Sequence, residues 1–429
     1  MRPRQWLAFR ASAGFVMLLA CGLGVFSASG YSQTGSAGES PVHWGVPWPQ
    51  PGKADYGYPV LRRVKTFPIY HATPLTGVYS HHSQIGHVQG TFFASWSNQE
   101  WGEDGPGQRV LCSLSTNGEQ WRPPFVCFPS MSGMRQPERY GRVLTAEAWV
   151  VADGKMYVVA GVNDRPGPTH TLEAGYETTA SGRKRMLVDG RVGWGRVARW
   201  VAPNGEMGPI FWLVDDPPAP VEGFPQYPDA HDSQFREVAN QINRYLKNPL
   251  HMPAWDFLNH TDSPLAVDGH RMCEPTVYRR PDGTLVQLSR DCGPHQSHRL
   301  YVSLSKDDGK MWTTPVRTDI PDSPSKAVTG TLPNGEIYLI GNQIDVSGPH
   351  SRDPLTISLS RDGKTFDWAA VVRHGPTPLR YPGHWKDHGF QYPSAIVVGK
   401  SLWVIYSINK EDVAVSRIPL KELGASRMK

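Results

Sequence analysis

The chain has 429 residues, with 44 Lys and Arg against 39 Asp and Glu and a formal charge of +5. That length can bury a large core in one big domain or two average ones, while 43 Gly and 39 Pro with 10% aromatic residues suit many short strands and turns better than helices. There is no heptad pattern, acidic tail or polybasic run, so the charge pattern does not point to nucleic acid.

Residues 1–30 read as a signal peptide. Arg2, Arg4 and Arg10 form a basic start, and the apolar run Phe15–Phe26 is short for a bilayer span. Without those three arginines the formal charge falls from +5 to +2. Cleavage near Ser27-Ala28-Ser29 would release an exported protein, to a bacterial periplasm, cell surface or medium. The alternative is Leu18-Leu19-Ala20-Cys21, which resembles a bacterial lipobox and would leave a lipid anchor on Cys21. Export permits disulfides. Cys112 and Cys127 flank one hairpin and Cys273 and Cys292 another, so pairing of neighbours is expected among the three connectivities. A four-thiolate metal site lacks CxxC spacing, and buried free thiols are the plain alternative.

Residues 31–58, rich in Gly, Pro and Ser, read as a linker into a domain over 59–429. Val60–Ile69 can form one strand. Blade-like units follow at about 78–128, 143–214, 273–317, 326–373 and 389–420. The second holds AWVVADGKMYVVAG and RVARWVAPNGEMGPIFWLV, two hairpins with Asp-Gly and Asn-Gly turns. Between 215 and 270 the alternation stops. A helical insertion is expected near 230–250, capped by Asp232 or Ser233, with Phe235, Val238, Ile242 and Leu246 on one face. This segment is either an irregular blade or a lid.

The stretch from Cys273 to Trp312 reads as Glu274–Tyr278, a turn at Arg280-Pro281-Asp282-Gly283, then Leu285–Arg290, Arg299–Ser305 and the turn SKDDGKMW. That turn fits S-x-D-x-G-x-x-W through Ser305, Asp307, Gly309 and Trp312. Asp can accept from the turn's own amides, Gly permits positive φ, and Trp can roof the hairpin. Ser360-Arg361-Asp362-Gly363-Lys364-Thr365-Phe366 and Ser115-Thr116-Asn117-Gly118-Glu119-Gln120-Trp121 repeat it with one residue fewer, each after an apolar strand. Such recurrence predicts an all-β fold, a β-propeller with six blades preferred and five or seven as alternatives. Val60–Ile69 is expected to complete the blade that ends near Leu420, removing the open edge.

These turns are the Asp-boxes, or BNR repeats, of sialidase-like proteins, and residues 273–420 resemble the sialidase superfamily further. Its order of Glu, Arg, Arg and Tyr is matched by Glu274 in CEPTV, Arg290 in VQLSRD, Arg352 in SGPHSRDPL and Tyr392 in GFQYPSAIV. The resemblance implies that Arg290 and Arg352 clamp a substrate carboxylate, with Tyr392 as nucleophile and Glu274 as its proton partner. Arg offers a flat fork of donors to a carboxylate, and a neutral phenol paired with a carboxylate base suits an anionic sugar. The family's Arg-Ile-Pro motif is missing, the nearest text being Thr66-Phe67-Pro68-Ile69, and its Asp acid has no counterpart.

The first blade region instead resembles the propeller lyases that cut ulvan and related rhamnosidases acting beside glucuronate, through His81-His82 and the WSN…EDGPGQRV run. That implies a catalytic His82 with His81 as a substrate contact, His being suited to proton transfer at neutral pH. Strict alternation would put His81 and His82 on opposite faces, so no metal site is expected. The expectation is an exported, monomeric, cofactor-free enzyme, an exo-acting hydrolase on an acidic oligo- or polysaccharide containing sialic or uronic acid. The alternatives are a lyase or rhamnosidase acting beside a uronate and a non-catalytic glycan-binding propeller. They differ in whether a third cation and a carboxylic acid reach the same pocket.

Overall fold

Short runs of β-branched and aromatic residues closed by Gly-containing turns form five four-stranded antiparallel sheets among the described residues. The computed structural model describes residues 30–32, 40–105, 107–131, 140–166, 176–178, 184–186, 192–218, 225–254, 265–346 and 351–425. From inner to outer strand, blade 1 is Tyr79–Val88, Thr91–Gln99, Arg109–Ser115 and Phe125–Phe128. Blade 2 is Tyr140–Ala152, Lys155–Pro166, Val192–Trp200 and Phe211–Trp212. Blade 3 is Met272–Arg279, Leu285–Asp291, Arg299–Ser305 and Val316–Pro321. Blade 4 is Val328–Thr331, Ile337–Gly341, Leu355–Ser360 and Trp368–Arg373. Blade 5 is Phe390–Val398, Ser401–Ile408, Asp412–Pro419 and, from the start of the domain, Lys65–Tyr70.

This last pairing runs Val413 opposite Tyr70 through Arg417 opposite Lys65. It closes the propeller as expected from Val60–Ile69. The inner strands of blades 5 and 1, 1 and 2, 3 and 4, and 4 and 5 lie against each other, and apolar clusters fill the spaces between blades.

Among the described residues the propeller has five blades, the alternative rather than the preferred six. The segment after 215 has no strand alternation, and its described part forms the helix Arg236–Leu246. Phe235, Ala239, Ile242 and Leu246 bury against Val150, Tyr157, Phe211 and Leu213 of blade 2, with the Phe235 ring 4.6 Å from that of Phe211. Asp232 does not cap it through its side chain. Its carboxylate accepts from the Gln234 amide in the turn before, and Phe235 is the cap residue. The stretch 31–58 is likewise no free linker where described. His43–Trp44 adds in parallel to Thr365–Phe366, and Val42, Trp44 and Tyr58 are buried in the core between blades 3 and 4.

The Asp-box turns share one wiring. Ser305 Oγ donates to Asp307 and accepts from the Gly309 amide, Asp307 accepts from the Met311 amide, and Trp312 Nε1 donates to the Gly309 carbonyl at 3.1 Å. Ser360 and Asp362 repeat these bonds around Gly363, and Ser115 and Asn117 do so around Gly118, with Trp121 Nε1 on the Gly118 carbonyl. The three glycines have φ of 85°, 67° and 72°, the region L side chains avoid.

The expected cysteine pairs are neighbours in space, Cys112 with Cys127 and Cys273 with Cys292, but all four are free thiols rather than disulfides. Cys273 lies opposite Arg290 in the ladder. Cys292, two residues on, therefore shares its face as a diagonal neighbour. No helix among the described residues is long and apolar enough to cross a membrane. Residues 1–29 of the expected signal peptide, Cys21 included, lie outside the described residues.

Trp312 is 5% exposed and Trp121 is half-buried. Trp312→Ala should therefore cost about 3–5 kcal/mol in chemical denaturation, and Trp121→Ala clearly less. Under a small-molecule disulfide oxidant, peptide mapping should find Cys273–Cys292 linked before the fully buried Cys112–Cys127.

Candidate active site

Four inner strands carry a register shift, that of blade 2 between Ala146 and Ala148 and those of blades 1, 3 and 5 between His81 and Gln84, Cys273 and Thr276, and Gln391 and Ser394. At the last three bulges His82, Glu274 and Tyr392 take φ of 54°, 49° and 56°. A bulge re-aims a side chain that regular pleating would leave on a blade face. Here three such residues from blades 1, 3 and 5 converge.

Tyr392 is the centre. Its hydroxyl donates to Glu274 Oε1 at 2.5 Å and accepts from Arg290 Nη1 at 3.0 Å, and the same Nη1 lies 3.0 Å from Glu274 Oε2. The Arg352 guanidinium lies 5.5 Å from the centre of the Tyr392 ring. It donates to Gln391 Oε1 and pairs with Asp387 at 3.4 Å. The two arginines thus flank one phenol without being unpaired. The His81 and His82 rings lie 4.0 and 5.7 Å from the Tyr392 ring, and Ala254, from the segment after the helix, packs on it. All six residues singled out in the sequence therefore sit around a single point.

Alternation is broken at the bulge of blade 1. His81 and His82 do not diverge, since their rings are 4.6 Å apart. His82 Nδ1 lies 3.1 Å from Ser97 Oγ and Nε2 lies 3.5 Å from Glu103 Oε1, while His81 Nδ1 lies 2.7 Å from Ser407 Oγ. The other Glu103 oxygen accepts from Lys410 Nζ at 2.5 Å, and that ammonium stands 5.8 Å over the Tyr392 ring. A third cation and a further carboxylate thus join the pocket. Sequence reading assigned neither a role. Glu103 lies in the WSN…EDGPGQRV run, and Lys410 sits in the turn between two strands of blade 5, where Asn409 and Lys410 have φ of 59° and 55°. That turn is the three residues Asn409, Lys410 and Glu411 between Ile408 and its partner Asp412, and Asn409, a residue type that tolerates positive φ, was the available signal.

Charge balance keeps these groups in defined states. Burial alone would raise the Glu274 pKa, but Arg290 and the Tyr392 hydroxyl bring it below the ordinary value of 4.5. Burial and then the Glu274 charge push Tyr392 well above its usual 10.0, so the phenol is neutral. Against the effect of burial, Lys410 and His82 hold Glu103 well below the usual range. Burial first, then Lys410 and His82, lowers His81, leaving it neutral. Lys326, whose ammonium donates to the Pro393 carbonyl at 2.6 Å beside the Tyr392 bulge, is lowered by burial to about 8.

Donor atoms of His81, His82 and Glu103 all lie within 4.8 Å of one another, so the three could reach one ion. Glu103 already carries the Lys410 ammonium, however, whose charge opposes a divalent cation there.

Comparison with known proteins gives two family matches, a BNR repeat-like domain over residues 245–404 and an N-terminal beta propeller family over 58–267. No curated protein matches. A solved sialidase resembles the fold with a TM-score of 0.68 at 23% identity, covering 88% of this chain but only 35% of its own length. A protein of unknown function from Dyadobacter fermentans is 14% identical with a TM-score of 0.48, over 83% of this chain and 99% of that one. The Trypanosoma rangeli sialidase in complex with sialic acid is 13% identical with a TM-score of 0.45, over 87% and 59%.

Removing one partner of a buried ion pair strands the other. Glu103→Gln should thus cost about 3 kcal/mol or more in denaturation at neutral pH. The loss should shrink in the Glu103→Gln, Lys410→Met double variant, and an additive double variant would contradict the pairing.

Proposed function

We propose that this sialidase-like propeller with a BNR repeat-like domain is an exo-acting glycoside hydrolase that removes an acidic sugar from a glycan. The observation that carries the reading is the Tyr392 hydroxyl, 2.5 Å from Glu274 and 3.0 Å from Arg290. A carboxylate nucleophile would be repelled by a sugar that carries its own carboxylate near the reacting carbon. A neutral phenol is not, provided a base takes its proton as it attacks.

In this reading the substrate carboxylate lies between Arg290 and Arg352, with Lys410 adding positive charge. Tyr392 Oη forms a bond to the anomeric carbon while its proton passes to Glu274. The glycosidic C–O bond breaks, and the leaving oxygen takes a proton from His82, which the Glu103 carboxylate holds in place. Water, activated by the same histidine, then cleaves the tyrosyl link, and Glu274 returns the proton to the phenol. The added Lys410 cation and the His82–Glu103 pair favour an enzyme over a binding module, since a clamp alone would need no proton donor. Export, read from residues 1–30, would bring such an enzyme to polymeric glycans.

A second reading is a lyase acting on a uronate, in which His82 removes the proton beside an arginine-neutralised carboxylate and Tyr392 protonates the leaving oxygen. The closeness of both histidine rings to Tyr392 supports it. Screening sialosides, ulvan and rhamnose-capped glucuronides separates the two, because only the lyase forms an unsaturated product absorbing in the ultraviolet.

On the substrate found, Tyr392→Phe should lower kcat at least about 1000-fold with little change in binding, while Arg290→Lys should weaken binding because the fork is lost. Glu274 has a lowered pKa, so its ionised, proton-accepting form persists as pH falls and is lost only below the ordinary 4.5. Burial lowers Lys410 despite Glu103, so its charge is lost as pH rises toward 10.5 rather than above it. The kcat/KM profile should accordingly fall on the acid side below 4.5 and on the alkaline side below 10.5. Full activity of Tyr392→Phe contradicts the reading.

A further inference from the structure

Two loops meet beside the pocket groups His82 and Arg352, one from blade 1 around 100–105 and one leading into blade 5 around 374–389. They carry two of the more exposed large apolar side chains among the described residues, Trp101 at 57% and Trp385 at 66%. The His384 ring lies between them in sequence and space. It stacks on Trp101 with centres 6.0 Å apart and planes 11° apart, and meets Trp385 edge-on at 4.9 Å. By contrast Trp48, also exposed, is capped by the Arg299 guanidinium at 4.3 Å.

The loops are fastened together. The Glu103 amide donates to the His384 carbonyl at 3.2 Å, and the Trp101 and Gly102 amides both donate to Gln99 Oε1. Backbone approach is close enough that a methyl on Gly102 would lie 2.6 Å from the His384 amide nitrogen, and one on Gly383 would overlap the Trp101 carbonyl. Trp385 itself has φ of 57°, an uncommon conformation for a bulky residue. Two indoles are thus held outward on a tight scaffold, where free loops would turn them inward to bury their area.

Their position identifies the occupant. Trp101 is two residues before Glu103, which pairs with His82, and Trp385 is two residues before Asp387, which pairs with Arg352. Two residues span at most about 7 Å, so both tryptophan backbones stand within one sugar's length of a residue paired to a pocket group. We infer that Trp101, His384 and Trp385 form a subsite that stacks on the ring face of the neutral pyranose next to the acidic sugar. A pyranose offers an apolar face of C–H groups and a rim of hydroxyls, which suits indole faces beside a polar pocket. This rests on the hydrolase reading for the identity of the neighbouring sugar, and it adds that the enzyme reads the glycan beyond the residue it removes.

The test compares free N-acetylneuraminate with sialyllactose, and glucuronate and galacturonate with their terminal trisaccharides, by calorimetry on the full chain. Tyr392→Phe serves as the background, so nothing turns over. The parent should bind the oligosaccharide of its preferred acid about tenfold tighter than the free sugar. The Trp101→Ala, Trp385→Ala double variant should bring that ratio near one while leaving free-sugar affinity unchanged, and an unaltered melting curve verifies folding. A ratio near one in the parent, no oligosaccharide binding at all, or a ratio kept in the double variant each overturns the subsite. Adding Arg290→Lys to the background separates the two claims. It should weaken free-sugar binding if the carboxylate reading holds, and unchanged free-sugar binding refutes that reading while the tryptophan effect still decides the platform.

Discussion

The structure depends on neutralising charge at the axis. Arg290, Arg352, Lys410 and Lys326 are brought together with Glu274 and Glu103 in a space almost closed to water. Each charge there would cost several kcal/mol if left alone. Short bonds join them into pairs, Arg290 with Glu274 and Lys410 with Glu103, with Tyr392 between. The blades bring these groups into register because closure through Lys65–Tyr70 removes the free edge that would let blade 5 drift from blade 1. Ring closure and charge pairing are therefore one constraint seen at two scales.

Bulges convert a structural ring into a chemical one. A regular inner strand would present alternate side chains to the neighbouring blades, and His82, Glu274 and Tyr392 would not turn toward one another. Positive φ at His82, Glu274 and Tyr392 costs of order 1–3 kcal/mol each. That cost is tolerated because the flanking ladders are long and well buried, with Tyr79, Phe390 and Met272 in the core beside the three sites. Strain is confined to the positions where a side chain must turn from the sheet to the axis. Lys326 adds a further hold, its ammonium gripping the carbonyl of Pro393 behind Tyr392.

How much of this was legible follows from the distance over which each signal acts. The Asp-boxes were plain because Ser305, Asp307, Gly309 and Trp312 satisfy one another within eight residues. The closing strand was legible because an unpaired strand at each end of a blade series implies a ring. The five clear units were read correctly, and the sixth was sought in the obscure segment 215–270, whose expected helix, Arg236–Leu246, packs on blade 2. Trp44 was read as part of a linker because its burial depends on Phe366 and Tyr58. In the pocket, Glu274, Arg290, Arg352 and Tyr392 were found through their family order. Lys410 was not, because its partner Glu103 is 307 residues away, and His81 was set apart from His82 because a bulge cannot be seen in a period-two pattern.

The central claim is that Tyr392 attacks a carboxylate-bearing sugar. An activated acidic glycosyl fluoride with a second fluorine next to the reacting carbon should transfer its sugar to the nucleophile and release it slowly. Intact-mass spectrometry should then show one added glycosyl group, and fragment mapping should place it on the Tyr392 peptide. A label on His82 or another residue, or turnover of the reagent with no trapped adduct, would contradict the account.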